Sequence, residues 1–167
     1  MSVASKVETK LKRLPKGKPL PLKLFSDCGP EGAVRTALSR LVKRGELANV
    51  ARGIYARPKP NEFFGTSLPA PEEIAEAIAS VTGERLAPHG AEMARRLGLS
   101  TQMPVKTAFY TTGRTRRLQV GNSYVQFQHA PERLVSEAST RAGSALLALH
   151  HLGREHVTTE MLQELNE

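Results

Sequence analysis

Hydrophobic positions in the first third of the chain recur at helical spacing and then switch to alternation, and that switch outlines the elements. Val3, Val7, Leu11 and Leu14 fall on one stripe while Lys6, Lys10, Lys12 and Arg13 lie elsewhere, so residues 3–14 predict an amphipathic basic helix. The run PKGKPLP from Pro15 to Pro21 ends it. Leu22 to Asp27 reads as a short second helix with Leu24 or Phe25 turned inward. Gly29 and Pro30 open a longer helix, Pro30 to Arg44, whose Val34, Ala37, Leu38, Leu41 and Val42 share an arc of roughly 140°. Gly45 supplies its left-handed stop. Two short runs follow, Leu47 to Val50 and Ile54 to Ala56, joined through Ala51, Arg52 and Gly53 at the length of a tight hairpin.

From Arg57 to Pro71 the pattern breaks: RPKPNEFFGTSLPAP holds four prolines and neither period, and it reads as a connection that Phe63 and Phe64 pin to one of the bodies. Helical spacing resumes with Ile74, Ala77, Ile78 and Val81, stopped by Gly83, and again from Ala91 to Leu97, stopped by Gly98. Three alternating runs come next, Thr107 to Thr111, Arg116 to Val120 and Tyr124 to Gln128. Gly113 with Arg114, and Gly121 with Asn122, part them at hairpin distances and predict an antiparallel three-stranded meander. Helices from Thr140 to Leu152 and from Thr158 to Leu165, the latter with Leu162 and Leu165 inward, close the chain. The expected fold class is α+β. A winged helix-turn-helix occupies residues 1–60, a linker 61–71, and a small α/β body with the meander and C-terminal helices 72–167.

Charge sharpens this division. Residues 1–60 hold 14 Lys and Arg against 4 Asp and Glu, whereas residues 61–167 hold 10 against 12, so the first part is +10 and the remainder −2. A polyanion-binding module attached to a body with another task is the implication. On the long helix, Arg35, Thr36, Ser39, Arg40 and Lys43 oppose the apolar arc, with no carboxylate between Glu31 and Glu46. Such a face suits phosphates and guanine edges. In the expected docking, Arg35 and Ser39 reach base edges in the major groove of double-stranded DNA, and Thr36, Arg40 and Lys43 hold phosphates. Arg52 reaches the minor groove or its flanking phosphates, and Lys16 and Lys18 touch the backbone beyond. One such module covers little DNA, so two copies on paired half-sites are expected. No segment approaches the ~20 apolar residues of a spanning helix and the N-terminus lacks a signal-peptide core, so the expectation is a cytoplasmic protein without a membrane partner.

Catalytic chemistry finds little to work with. Cys28 is the single cysteine, which excludes an intrachain disulfide and reads as a buried packing thiol. The histidines His89, His129, His150, His151 and His156 stand at no spacing that suits a metal. Asp27 is the single aspartate, the meander carries no carboxylate, and no phosphate-cradling glycine loop is present. The expectation is therefore no enzyme, no cofactor and no metal.

Two stretches carry a resemblance: AVRTALSRLVKRGELANVARGIYARP from Ala33 to Pro58, and TGERLAPHGAEMARRLGLSTQMPVKTAFYTTGRTRRLQVGN from Thr82 to Asn122. With them the chain resembles the AbiEi-like antitoxins of type IV toxin–antitoxin systems. The resemblance implies a transcriptional repressor that binds inverted repeats in the promoter of its own operon, with a nucleotidyltransferase-like toxin as partner of the C-terminal body. A second reading, from a different class, is a protein-binding neutraliser whose body captures the toxin while DNA binding is secondary. Its candidate contact is the basic cluster Arg114, Arg116 and Arg117 near the first turn of the meander.

Overall fold

The structure, a computed structural model, describes residues 1–104, 106–120 and 123–166. It is a mixed α+β chain that divides into two compact units, Met1–Val81 with Gln119–Ser123, and Thr82–Leu118 with Tyr124–Glu167.

In the first unit, α1 (Val3–Arg13) starts at Ser2, whose side chain accepts from the Ser5 N–H, and buries Val7 and Leu11 as the stripe requires. β1 (Pro19–Pro21) leads into a 3₁₀ helix, Leu22–Cys28. Its tighter winding turns Phe25 and Cys28 inward and leaves Leu24 exposed. α2 (Glu31–Lys43) buries Val34, Ala37, Leu38 and Leu41. It ends at Gly45 (φ 74°), where Glu46 N–H reaches back to the Leu41 carbonyl and closes the terminal carbonyls. β2 (Ala48–Ala51) and β3 (Ile54–Ala56) form the expected hairpin, and β3 pairs on its other edge with β1, giving an antiparallel sheet ordered β1-β3-β2. One core joins these elements: Val7 and Leu11, Phe25 and Cys28, the four α2 residues, and Leu20, Leu47 and Tyr55 from the sheet and its approach.

The stretch with four prolines is not featureless. β4 (Lys59–Asn61) and β5 (Gly65–Ser67) pair antiparallel in a two-stranded sheet of their own. Phe63 and Phe64 at its tip pin nothing, being 87% and 84% exposed. α3 (Pro71–Thr82) then buries Ile74, Ala75, Ile78 and Ala79, so its inner face is rotated from the expected stripe and Val81 is half exposed.

In the second unit the predicted meander is replaced by a different order. The four-stranded sheet runs β6 (Leu86–Pro88), β7 (Ala108–Thr111), β9 (Ser123–His129), β8 (Arg116–Val120), with β9 inserted between β7 and β8 and parallel to β7. The reason lies in the connection Thr112–Thr115, which arches over the end of β9. His129 N–H donates to Thr115 Oγ1 at 2.9 Å, and its ring Nδ1 lies 2.8 Å from the Gly113 carbonyl oxygen. Gly113 and Arg114 thus sit in an arch, not a tight hairpin. The second turn signal, Gly121 with Asn122, lies outside the described residues.

α4 (Gly90–Arg96), α5 (Glu132–Ser136), α6 (Arg141–Leu152) and α7 (Thr159–Glu164) pack Met93, Ala94, Val135, Leu147 and Ala148 with Tyr110 into the second core. Thr158 caps α7 by accepting from Met161 N–H, and the i,i+4 pair Met161 and Leu165 faces inward where Leu162 was expected.

α4 and α6 approach so closely at Gly90 that a Cβ there would lie 2.4 Å from His151 Cβ and 2.5 Å from the Leu147 carbonyl oxygen. The Gly90→Ala variant is expected to lose about 1–3 kcal/mol through overpacking, read as a lowered midpoint in urea unfolding followed by circular dichroism.

Candidate nucleic-acid interface

α2 carries its polar face outward: Arg35, Thr36, Ser39, Arg40 and Lys43 are all exposed, as the 3.6-residue period requires once Val34, Ala37, Leu38 and Leu41 are buried. The β2–β3 turn brings Arg52 to the same side. Leu22 N–H donates to the Gly53 carbonyl at 2.9 Å, tying this turn to the start of the 3₁₀ helix, and Arg35 and Arg52 line one cavity of about 490 Å³. Lys23 of the 3₁₀ helix lines it too, over an apolar floor that includes Phe25 and Val34. Sequence reading passed over Lys23. Its signal was its place one residue into the helix that follows β1.

The face is less uniform than its sequence. Arg35 pairs with Glu31 one turn earlier, at 2.7 Å, with both side chains more than half exposed. An exposed i,i+4 pair of this kind is worth about 0.3–0.5 kcal/mol, so it orients Arg35 without holding it against a stronger acceptor. Thr36 Oγ1 donates to the Gly32 carbonyl at 2.9 Å, which spends its proton inside the helix. Arg44 is held by Glu8 and Glu46. Among the described residues Arg40, Lys43, Arg52 and Lys23 have no carboxylate partner.

Lys16 and Lys18 are not brought to this face. Gly17 N–H bonds the Arg57 carbonyl at the far end of the sheet from Arg52, since β1 runs antiparallel to β3 with Pro21 opposite Ile54. Lys18 is moreover bound to Glu73 of α3. That hydrogen bond, with one from the Ala70 N–H, holds the Glu73 carboxyl below its usual range. Cys28 behaves as a packing thiol. Burial first, and the neighbouring Asp27 carboxylate second, push its pKa up and keep it protonated.

The basic cluster of the second unit is dispersed by its own contacts. Arg116 binds Glu84 at 2.9 Å, with side chains only 18% and 17% exposed, and its guanidinium stacks 4.6 Å from the Phe127 ring centre. Arg117 lies 4.2 Å over Tyr124, and Arg114 alone of the three stands exposed without such a contact. Glu84 fits because Gly113 leaves room for its carboxylate, and it also accepts from Thr111 Oγ1 at 2.8 Å. Burial alone would raise the Glu84 pKa, but the Arg116 and Thr111 hydrogen bonds outweigh it and hold the group below its ordinary value. No three His, Cys, Asp or Glu side chains among the described residues gather to hold a metal ion. No helix among them is long and apolar enough to cross a membrane.

A family model matches residues 6–167, nearly the whole chain, and it describes a family of unknown function, DUF6088. The chain belongs to this family. No curated protein and no solved structure matches it. For this DUF6088 member the chemistry of the face must therefore carry the functional reading.

The Glu84–Arg116 pair gives a pH-dependent expectation. A carboxyl with a lowered folded pKa adds stability above its unfolded pKa and loses it as pH falls through the folded one. Glu84→Gln is expected to lose about 1–3 kcal/mol at pH 7 by leaving Arg116 part-buried and unpaired. The gap to the parent protein should narrow as pH falls from the ordinary glutamate value of 4.5 through the lowered value of folded Glu84, where the parent carboxyl protonates as well. Thermal melts of both proteins from neutral to acid pH read this convergence.

Proposed function

We propose that the first unit is a winged helix-turn-helix that binds double-stranded DNA, with α2 as the recognition helix and the β2–β3 turn as the wing. The supporting observation is that Arg35 of the helix and Arg52 of the hairpin turn, 17 residues apart, line one cavity with Lys23, beside the unpaired Arg40 and Lys43. The element order, helix, strand, 3₁₀ helix, helix and two strands with β3 central, is the order such a module needs. In this docking Arg35 leaves Glu31 for a guanine edge, since a bidentate base contact is worth about 1–3 kcal/mol against a few tenths for the surface pair. Ser39 faces the same groove one turn on. Arg40, Lys43, Lys23 and Arg52 meet phosphates.

The biological role that follows is transcriptional repression, with the resemblance of Ala33–Pro58 and Thr82–Asn122 to AbiEi-like antitoxins as its support. Autoregulation through inverted repeats, and a nucleotidyltransferase-like toxin as partner of the second unit, belong to that resemblance. The alternative of a neutraliser acting through Arg114, Arg116 and Arg117 draws no support from the contacts of Arg116 and Arg117.

The test is fluorescence-anisotropy titration of the full chain on duplexes from the region upstream of its own gene and on scrambled duplexes, over several salt concentrations. With the four cations Arg40, Lys43, Lys23 and Arg52 on phosphate, the slope of log affinity against log salt should be about −3 to −4 for one copy on DNA. Arg35→Ala should lose about 1–3 kcal/mol on the specific duplex and much less on the scrambled one. Lys43→Ala should weaken both alike and reduce the slope by about one. Glu31→Gln should bind the specific duplex about two-fold tighter, with a smaller gain on the scrambled one, because Arg35 loses its competitor for the base edge. Equal losses on both duplexes for Arg35→Ala would overturn this docking, and absence of binding at low salt would overturn the function.

A further inference from the structure

The second unit holds a cavity of about 640 Å³, within the range of small-molecule sites, lined by residues from the start of β6, from α4 and α5, and from the beginning of α6. Its floor is apolar. Met93, Val135 and Ala138 are buried beneath it and Leu97 is half-buried at its side, so the floor is the outer surface of the second core and is set by that packing.

The rim is cationic: Arg85 and Arg96 line the cavity from different elements, and among the described residues no carboxylate lines it. Arg96 Nε donates to Glu92 Oε1 at 2.8 Å, but Glu92 is already held by two nitrogens of Arg95 at 2.7 and 2.9 Å, so two guanidiniums share one carboxylate. Among the described residues Arg96 is engaged through Nε alone, which leaves its two terminal nitrogens as donors. Arg85 stands 3.7 Å from Glu132, beyond hydrogen-bond distance, with the two side chains 63% and 71% exposed. Arg85, Arg95 and Arg96 thus answer to two carboxylates, Glu92 and Glu132, and one positive charge is left over. The hydroxyls differ as well. Ser136 and Ser144 spend their protons on the Glu132 and Ala138 carbonyls, whereas Ser139 Oγ has no partner among the described residues and can donate. Ser139 directly precedes Thr140, the N-cap of α6, so the positive end of that helix adjoins the same rim.

We infer that this cavity is a binding site for a small organic monoanion, a carboxylate joined to an apolar ring or branched chain. The apolar body rests on Met93, Val135 and Ala138. The carboxylate meets the free edge of the Arg96 guanidinium, whose planar pair of donors matches two oxygens, with Arg85 and Ser139 as further donors. A single uncompensated charge suits a monoanion better than a dianion such as a phosphate ester. The site stands apart from the DNA reading and is tested without nucleic acid.

The probe is phenylacetate, titrated into the isotope-labelled full chain at constant ionic strength and followed through amide proton–nitrogen correlation spectra. Binding should saturate with a Kd of about 0.1–1 mM, as fits a ligand of this size, and the largest shifts should fall at Leu97, Val135 and Ser139. Phenylacetamide keeps the ring without the charge, and acetate keeps the charge without the ring. Each should bind more weakly by about ten-fold or more. The double variant Arg85→Gln, Arg96→Gln should also lose about ten-fold or more, and because both side chains are exposed its spectrum away from the cavity should match the parent's. Arg35→Gln with Arg52→Gln, which removes two charges from the basic face, should bind phenylacetate as the parent does. Shifts that fail to saturate or that centre on the basic face, either control binding as tightly as phenylacetate, or unchanged affinity in the Arg85 and Arg96 variant would each overturn the inference.

Discussion

The pairing of β3 on both edges is the constraint on which the basic face depends. Ile54, Tyr55 and Ala56 are buried, and their backbone groups are shared between β1 on one side and β2 on the other. The β1 pairing delivers the 3₁₀ helix to the β2–β3 turn, where the Leu22–Gly53 hydrogen bond fixes it. The β2 pairing sets that turn at a constant distance from α2, because Leu47, just before β2, is bound through its N–H to the Leu41 carbonyl at the end of the helix. Arg52 and Arg35 come from different elements, yet both are placed by this one strand. A proline or a charge at position 55 would undo the core and the face together.

Electrostatics then divides the cations into those with work inside the molecule and those without. Lys10 is bound to Asp27, Lys18 to Glu73, Arg44 to Glu8 and Glu46, and Arg116 to Glu84. In the second unit Arg95 and Arg96 converge on Glu92, whose carboxyl falls to about 2 because each guanidinium donates to it. Such pairs cancel cations and anions together and leave the formal charge of +8 unchanged; among the described residues, the first-unit cations without a salt bridge include Lys23, Arg40, Lys43 and Arg52 on the basic face and Lys6, Lys12, Arg13 and Lys16 on and just after α1.

Much of the first unit was legible in the sequence because its determinants are local. The stripe of Val34, Ala37, Leu38 and Leu41, the stop at Gly45 and the hairpin turn at Arg52–Gly53 each depend on neighbours within a few positions, and α2 and its hairpin fall where the pattern puts them, save that Ala51 joins β2 and leaves a turn of two residues where three were expected. The Glu31–Arg35 pair is equally legible from its i,i+4 spacing, and it qualifies the single-sign face that the residues after Glu31 suggest. What could not be read depends on long-range pairing. Lys18 meets a carboxylate 55 residues away, and Arg116 one 32 residues away. The order of β7, β8 and β9 follows from which strand edges meet in space. Phe63 and Phe64 misled for a different reason: aromatic content signals burial on average, and an exposed pair is an exception that only coordinates reveal.

The insertion of β9 between β7 and β8 also bears on how the second unit assembles in time. Four residues separate β7 from β8 but only two separate β8 from β9, so β8 and β9 are the nearest pair along the chain, and such local pairings close fastest. The native sheet keeps that local pair as neighbours and places β7 on the far side of β9, with the Thr112–Thr115 arch passing over its end. β7 therefore has to reach past β8 to join the sheet in parallel with β9. The arch with its His129 contacts is complete only once the last strand is in place, so sheet formation here is a late and cooperative event.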